Sequence, residues 1–425
     1  MTISPPASPS GSAAHSGKPP APRSLGAKAD KDTVRRSNLS LVLRAVHDTG
    51  ESTRAQVAAR VGLTRAAVSS LVEQLLEGGF LAEYGKTFSG QAGRPGTVLK
   101  VARTGVAGLG VEINVDYLAV CVVDLAGTDR VRLTEHLDNR TRRPSDVLCR
   151  VAELALRAID SATAQELRPV GVQLALPGLI SEGTVRHAPN LGWNDITVVS
   201  RFHRILAVER RPLPPLPVSA DNEANLAALA ELWFGDPQET PRSFLYLSGE
   251  VGVGGALVLG GELLRGAHGF AGEIGHVVAQ ADGPPCRCGA RGCLEQYAGQ
   301  RALLRNAGLD EDAGVPGVVE LERRAVDEDG PALTALYTAG EKLGLVLSGA
   351  VNLIDPEAVV LGGAYRGLAE WLVPAADQVL SERVVSGLWR VGSGRVRAAS
   401  LCTDAARGAA AQAVQAVLND PLAYA

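Results

Sequence analysis

The residues best suited to chemistry crowd into HVVAQADGPPCRCGARGCLE, positions 276–295, where three of the chain's six cysteines fall within eight positions. The spacing His276-x9-Cys286-x-Cys288-x4-Cys293 offers one imidazole and three thiolates, a closed tetrahedral set of the kind zinc takes in structural sites. Gly289 and Gly292 let the backbone turn tightly around an ion. Cys286 and Cys288 are too close in sequence for a relaxed mutual disulfide in a reducing cell. Four protein ligands leave no position for water, so the expected Zn2+ is structural and does no chemistry of its own. Cys121, Cys149 and Cys402 fall in apolar or helical stretches and read as packing residues.

A second pattern lies near the other end, in STRAQVAARVGLTRAAVSSLVEQLLEGGFLAEYG. A helix is expected from about Arg54 to Val61, burying Val57, Ala58 and Val61. Gly62 ends it in the left-handed conformation and Thr64 caps the next helix. On that helix Val68, Leu71, Val72 and Leu75 recur at i, i+3, i+4 and i+7, one apolar face. Thr64, Arg65, Ala66, Ser69 and Ser70 lie at its N-terminal end. Small and polar residues there let a helix enter the major groove, with Arg reaching guanine and hydroxyls reaching bases or phosphates. FLAEYGKTFSGQAGRPGTVLKV then reads as a β-wing, with Lys86 and Arg94 available to the DNA backbone or minor groove. Upstream, Leu39, Val42, Leu43 and Val46 supply the third helix of a winged helix-turn-helix. The plainer alternative is a helical hairpin with solvated charges.

These two features must be positioned by the rest of the chain. Its 425 residues allow two or three domains with real cores. Residues 1–30, rich in Pro, Ser, Ala and Gly, cannot offset their ordering entropy and are expected to be a disordered tail. Residues 31–102 are expected to form the DNA-binding head and 103–425 the body. Residues 1–100 hold 13 Lys and Arg against 7 Asp and Glu, so a head of net +6 rides on a body of −10 within a total of −4. A polyanionic partner would meet the head first. From Gly108 onward β-rich runs alternate with helices, as in GLGVEINV, VGVQLALPG and AVVLGG, which predicts an α/β body. No apolar run approaches bilayer length and no signal-peptide core opens the chain, so a cytoplasmic protein is expected.

GFAGEIGHVVAQADGPPCRCGARGCLEQYAG resembles the signature of the ROK family, which includes repressors, open reading frames and sugar kinases. The resemblance covers essentially Gly108 to the C-terminus, and the winged head matches the regulator branch. It implies a two-lobed actin-like, ribonuclease-H-like ATPase fold with a cleft between the lobes. It also implies a sugar pocket made by Asn190 and Trp193 of APNLGW, Asn222 of ADNEAN, Glu273 and His276 of GEIGH, and Glu295. The chemistry suits a hexose, whose hydroxyls need carboxylates that accept and amides that both donate and accept.

Against the family's kinases the chain departs at three places. Their Asp-x-Gly-Gly-Thr turn is Glu112-Ile113-Asn114-Val115-Asp116 here, without a glycine to admit phosphate. Their Gly-Thr-Gly-Val-Gly-Gly motif is GEVGVGG, with Glu250 and Val251 in place of glycine and threonine. Their base, an Asp, is Glu223, shifted by a methylene. Gly362 and Gly363 match an adenosine-side loop. The resemblance therefore implies a sugar-responsive regulator, more a repressor than an activator, built on a kinase scaffold with a vestigial base. Its expected partners are double-stranded operator DNA and a sugar or sugar-phosphate effector, and a homodimer would present two heads to a palindrome. The rival is an active ATP-dependent hexose kinase with an accessory DNA-binding head. A regulator that senses a partner protein is the third reading.

Overall fold

The structure, a computed structural model, describes residues 31–87, 96–209, 216–236, 240–401 and 405–425. The first element is α1 (Lys31–His47), followed by α2 (Arg54–Val61) and α3 (Arg65–Glu77). Their apolar faces meet around Leu39, Val42, Leu43, Val46, Val57, Val68, Val72 and Leu75, all buried. Thr53 caps α2 in a reciprocal box with Gln56, and Gly62 ends it at φ +71°. Thr64 caps α3, accepting the Ala67 N–H at 3.2 Å. Val61, expected to be buried, is only half covered. The wing consists of β2 (Leu81–Thr87) and β3 (Gly96–Val101), which pair antiparallel. A short strand absent from the sequence reading, β1 (Ser52–Thr53), adds to the far edge of β3. Arg54 ties the unit together, bonding Glu83 of the wing at 2.6 Å and Glu73 of α3 at 2.7 Å.

The next lobe is a five-stranded sheet ordered β11-β7-β4-β5-β6. Its strands are β4 (Gly105–Ile113), β5 (Tyr117–Asp124), β6 (Asp129–His136), β7 (Leu167–Leu176) and β11 (Val218–Asn222). α4 (Pro144–Thr163), α5 (Val198–Glu209) and α6 (Glu223–Phe234) accompany them, and β8 (Leu179–Ser181), β9 (Thr184–Ala188) and β10 (Trp193–Ile196) form a flap. The β4, β7 and β11 pairings are parallel, and covered parallel strands read as unbroken apolar runs such as VGVQLAL.

The last lobe repeats the plan as β14-β13-β12-β15-β16. It comprises β12 (Phe244–Gly249), β13 (Val253–Leu259), β14 (Glu262–Leu263), α7 (Glu295–Ala298), α8 (Gln300–Asn306), α9 (Gly314–Val326), α10 (Gly330–Ile354), β15 (Ala358–Gly363), α11 (Ala364–Arg383) and β16 (Val396–Ala398).

α12 (Ala405–Asn419) returns to the first sheet and lies directly on β4. A Cβ at Gly108 or Gly110 would collide with the carbonyls of Ala410 and Ala406, which explains why GLG faces AARGAAAQA. The far end of α12 carries Val414 and Val417 into one apolar cluster with Leu39 and Val42 of α1. Ser40 donates to the Leu418 carbonyl at 2.8 Å, Arg44 donates to Asn419 at 2.6 Å, and Arg36 pairs with Asp420 at 2.6 Å. One helix thus joins the cleft strand to the head.

Cys121 is buried as expected, whereas Cys149 lies exposed on α4 and is not a packing residue. An amphipathic helix turns one face to solvent, and position 149 falls on that face of α4. Cys402 lies outside the described residues, as does the tail 1–30. Among the described residues no helix is long and apolar enough to cross a membrane.

Candidate functional site

Between the lobes lies a cavity of about 60 Å³, and Asn190, Asn222, Glu273, His276 and Glu295 all line it. Asn190 comes from the β9–β10 turn, and Asn222 from the end of β11. Glu273 precedes and His276 ends a single helical turn, Ile274–His276, that packs on β13. Glu295 opens α7 and accepts the Val253 N–H at 3.3 Å. A Cβ on Gly252 would strike the Glu295 carboxylate and displace it. Asn222 is largely committed to the fold: its Oδ1 caps α6 through the Ala224 N–H at 2.8 Å, and its Nδ2 donates to the Gly178 carbonyl at 2.9 Å. Burial raises the Glu273 carboxyl above its usual range, with His276 opposing and Glu295 reinforcing the shift.

Trp193 departs from the reading of APNLGW. It is 2% exposed within the core of the first lobe and does not line the cavity. Its large apolar ring gains more from that core than from a polar cleft. Asn114 lines the cavity instead. It follows the first strand, a position that the sequence offered only as a missing glycine.

Beside the cavity, one ligand atom from each of His276, Cys286, Cys288 and Cys293 lies within 4.8 Å of the others. His276 Nδ1 is 3.8 Å from Cys286 Sγ, and Cys288 Sγ is 3.8 Å from Cys293 Sγ. A zinc tetrahedron with bonds of about 2.3 Å has sulfur–sulfur edges of roughly 3.8 Å, so the donor set fits that ion in both chemistry and size. The opposite ring nitrogen, Nε2, stands 4.0 Å from Glu273 Oε2. One imidazole can therefore serve metal and cleft from its two edges. The arms of the loop are held by the Val278–Cys293 and Pro285–Arg291 bridges.

Deeper in the cleft is a second, smaller compartment of about 20 Å³. Glu112, Tyr117, Glu223, Tyr246 and Glu250 line it together with Ala405 at the start of α12. Glu112 is not in the turn where the motif comparison put it. It is the penultimate residue of β4 and 2% exposed, because the turn begins only at Asn114. Its Oε1 accepts the Tyr117 hydroxyl at 2.6 Å and its Oε2 the Ala406 N–H at 3.0 Å. A helix N-terminus is where an anion binds best, and here a carboxylate of the chain already occupies it. Burial drives the Glu223 carboxyl well above its usual value, with Glu250 and Glu112 adding to the shift. Burial likewise raises Tyr117 and Tyr246. A Cβ on Gly363 would meet Glu250 Oε1 at 2.6 Å, and one on Gly362 would strike the Tyr246 hydroxyl. Packing accounts for Gly362, and packing together with a φ of +56° accounts for Gly363.

On the head, Thr64, Arg65, Ala66 and Ser70 are exposed along one end of α3 and Ser69 is half-buried. Arg60 and Arg65 have no ion-pair partner among the described residues, unlike Arg36 and Arg54. Arg94 lies outside the described residues.

The profile of the ROK family matches residues 108–416. Over 368 residues the chain is 29% identical to a xylose repressor of Caldicellulosiruptor bescii, covering 82% of this chain and 88% of that protein. A crystal structure of a ROK family transcriptional regulator, described as a homologue of the Escherichia coli MLC protein, superposes with a TM-score of 0.73. It is 24% identical and covers 91% of this chain and 97% of its own, a likeness of fold. A ROK family glucokinase from Streptomyces griseus, solved with glucose and AMPPNP, superposes at 0.60 with 26% identity. That alignment covers 73% of this chain and 99% of the kinase.

Proposed function

The chain belongs to the ROK family, and we propose that it is a transcriptional repressor whose hold on operator DNA answers to a sugar bound between its lobes. The observation that carries this reading is α12, which bonds the cleft residue Glu112 at one end and α1 of the head at the other. The cavity lined by Asn190, Asn222, Glu273, His276 and Glu295 supplies acceptors and amides in the mixture that a polyol requires. Zn2+ held by His276, Cys286, Cys288 and Cys293 would fix the loop between Glu273 and Glu295 and set His276 Nε2 toward the sugar.

Thr64, Arg65, Ala66, Ser69, Ser70 and Arg94 are the proposed DNA contacts, within a head spanning 31–102 and a sensing body spanning 103–425. A homodimer would place two heads on two half-sites. Sugar changes operator affinity only if it binds one lobe arrangement better than the other, and α12 is the element that would report the difference. The test is to select operator fragments from the genome with the full chain, then repeat binding after removing residues 1–102. Loss of DNA binding with sugar binding kept supports the reading, and undiminished DNA binding refutes it.

The rival, a hexose kinase with a DNA-binding head, draws on Glu223, which lines both compartments, and on the likeness to the glucokinase. The compartment where a triphosphate would lie is lined by Glu112, Glu223 and Glu250, and Glu112 already takes the Ala406 N–H at the start of α12 that an incoming phosphate would need. ATP consumption over a panel of hexoses decides between the two: turnover abolished by Glu223→Ala would favour the kinase.

A further inference from the structure

A third cavity, of about 180 Å³, opens beside the one assigned to the sugar and shares Asn190, Val251 and Glu295 with it as a common wall. Its outer walls are Arg287 of the cysteine loop, Gln296 of α7, Arg301 and Arg305 of α8, and Glu311 in the following turn. We propose that this cavity is a second saccharide subsite, so that the effector is a disaccharide or longer glycan whose first residue fills the inner cavity. The inference rests on the sugar-sensing reading given above and adds the class of sugar.

The electrostatics choose between an uncharged glycan and an anionic sugar. Arg301 is already paired with Glu311 at 2.6 Å and with Asp312 at 3.3 Å, and Arg305 pairs with Glu311 at 3.0 Å. Glu311 therefore faces two of the three guanidinium groups within the site, and Asp312 reaches Arg301 from outside it. Arg287 points a nitrogen at Asn190 Oδ1, 3.4 Å away, and has no ion-pair partner among the described residues. A phosphate or uronate would have to compete with Glu311 for Arg301 and Arg305 and would meet Glu295 across the wall. A neutral polyol escapes both penalties. The paired guanidinium groups keep spare N–H donors, and Gln296, Glu311 and Glu295 offer acceptors, the two-way complement that hydroxyls need. Asn190 and Glu295 line both cavities, so the two rings of a disaccharide would meet beside them. Arg287 lies between Cys286 and Cys288, so the proposed metal clip shapes the outer subsite as well as the inner one.

Isothermal titration of the full chain with D-xylose against xylobiose, and with D-glucose against cellobiose and maltose, tests this. At least one disaccharide is expected to bind about ten-fold more tightly than its own monosaccharide. Arg305→Ala should bring that disaccharide down to the monosaccharide's level while changing monosaccharide affinity less than about two-fold. If monosaccharides bind and every disaccharide is excluded or no tighter, the subsite is refuted and the sugar reading stands. A disaccharide preference that Arg305→Ala leaves intact also refutes the subsite. If glucose 6-phosphate or glucuronate loses affinity in Arg305→Ala while the disaccharides do not bind, the cavity takes an anion and the inference fails. Absence of binding by any sugar would overturn the sugar reading together with the inference.

Discussion

Glu112 and Ala406 are 294 positions apart, yet the carboxylate of the first accepts the backbone N–H of the second at 3.0 Å. The bond ties the end of strand β4, at the cleft, to the first turn of a helix whose other end is fastened to α1 by Ser40 and Arg44. Glu112→Ala leaves that N–H and the Tyr117 hydroxyl without their acceptor in a buried place, a loss of about 1–3 kcal/mol. Thermal unfolding should show the destabilisation. Operator binding by the surviving folded protein should lose part of its sugar response. Unchanged stability and response would mean that the contact does not couple cleft to head.

The same link can be cut at its far end. Arg44 donates to Gln415 at 3.1 Å and to Asn419 at 2.6 Å. Arg44→Ala is expected to leave sugar affinity within about two-fold and to shrink the sugar-induced change in operator affinity, as befits a residue that carries coupling and touches neither ligand. Calorimetry and fluorescence anisotropy on the same preparation read the two quantities. A full sugar response in the variant would contradict the role given to α12.

Glu295 is held by the Val253 N–H and by the bare backbone of Gly252. Gly252→Ala should push the carboxylate aside and weaken sugar binding by about ten-fold or more, with little change in DNA affinity in the absence of sugar. Glu295→Gln should weaken it as well, because an amide replaces one acceptor by a donor. Sugar titrations with both variants check this, and normal affinity in either would remove Glu295 from the site.

The buried carboxyl of Glu223 makes a pH signature. Its folded-state value is raised well above the ordinary 4.5, so the folded chain holds a proton that the unfolded chain has released. Stability from this group is therefore greatest at low pH and falls as pH rises from about 4.5 through the folded-state value. Glu223→Gln mimics the protonated form. It should raise Tm at pH 7.5 by about 2–4 °C, and the gain should shrink toward zero near pH 4.5. A gain independent of pH would assign the effect to packing instead.

The metal clip makes a separate claim. Zinc analysis of the purified chain should find one ion per chain, and Cys288→Ser or a chelator should remove it, lowering thermal stability and sugar affinity together. Retained sugar affinity after metal loss would separate the clip from the cleft.

Much of this was legible in the sequence, for reasons that differ from residue to residue. The cysteine spacing, the cap at Thr64 and the apolar stripe Val68, Leu71, Val72 and Leu75 are local patterns, and local geometry dictates them. The five cleft residues were reachable only through the family resemblance, since Asn190 and Glu295 lie 105 positions apart and meet through tertiary packing. Glu112 was misplaced because strand ends cannot be fixed to a residue from pattern alone. Trp193 was misread because an aromatic residue beside a polar motif does not disclose which way the chain turns. Nothing local announces the outer cavity, whose arginines come from a loop and a helix that meet only in the fold.

The central claim is that cleft and head report to one another. Its most direct test is fluorescence anisotropy of a labelled operator fragment with the full chain, titrated with D-xylose, D-glucose and their disaccharides. At least one sugar should shift operator affinity by about ten-fold or more, with the shift lost in Glu295→Gln and reduced in Arg44→Ala. Operator binding that no sugar moves, although sugar binding is demonstrated by calorimetry, would contradict the account.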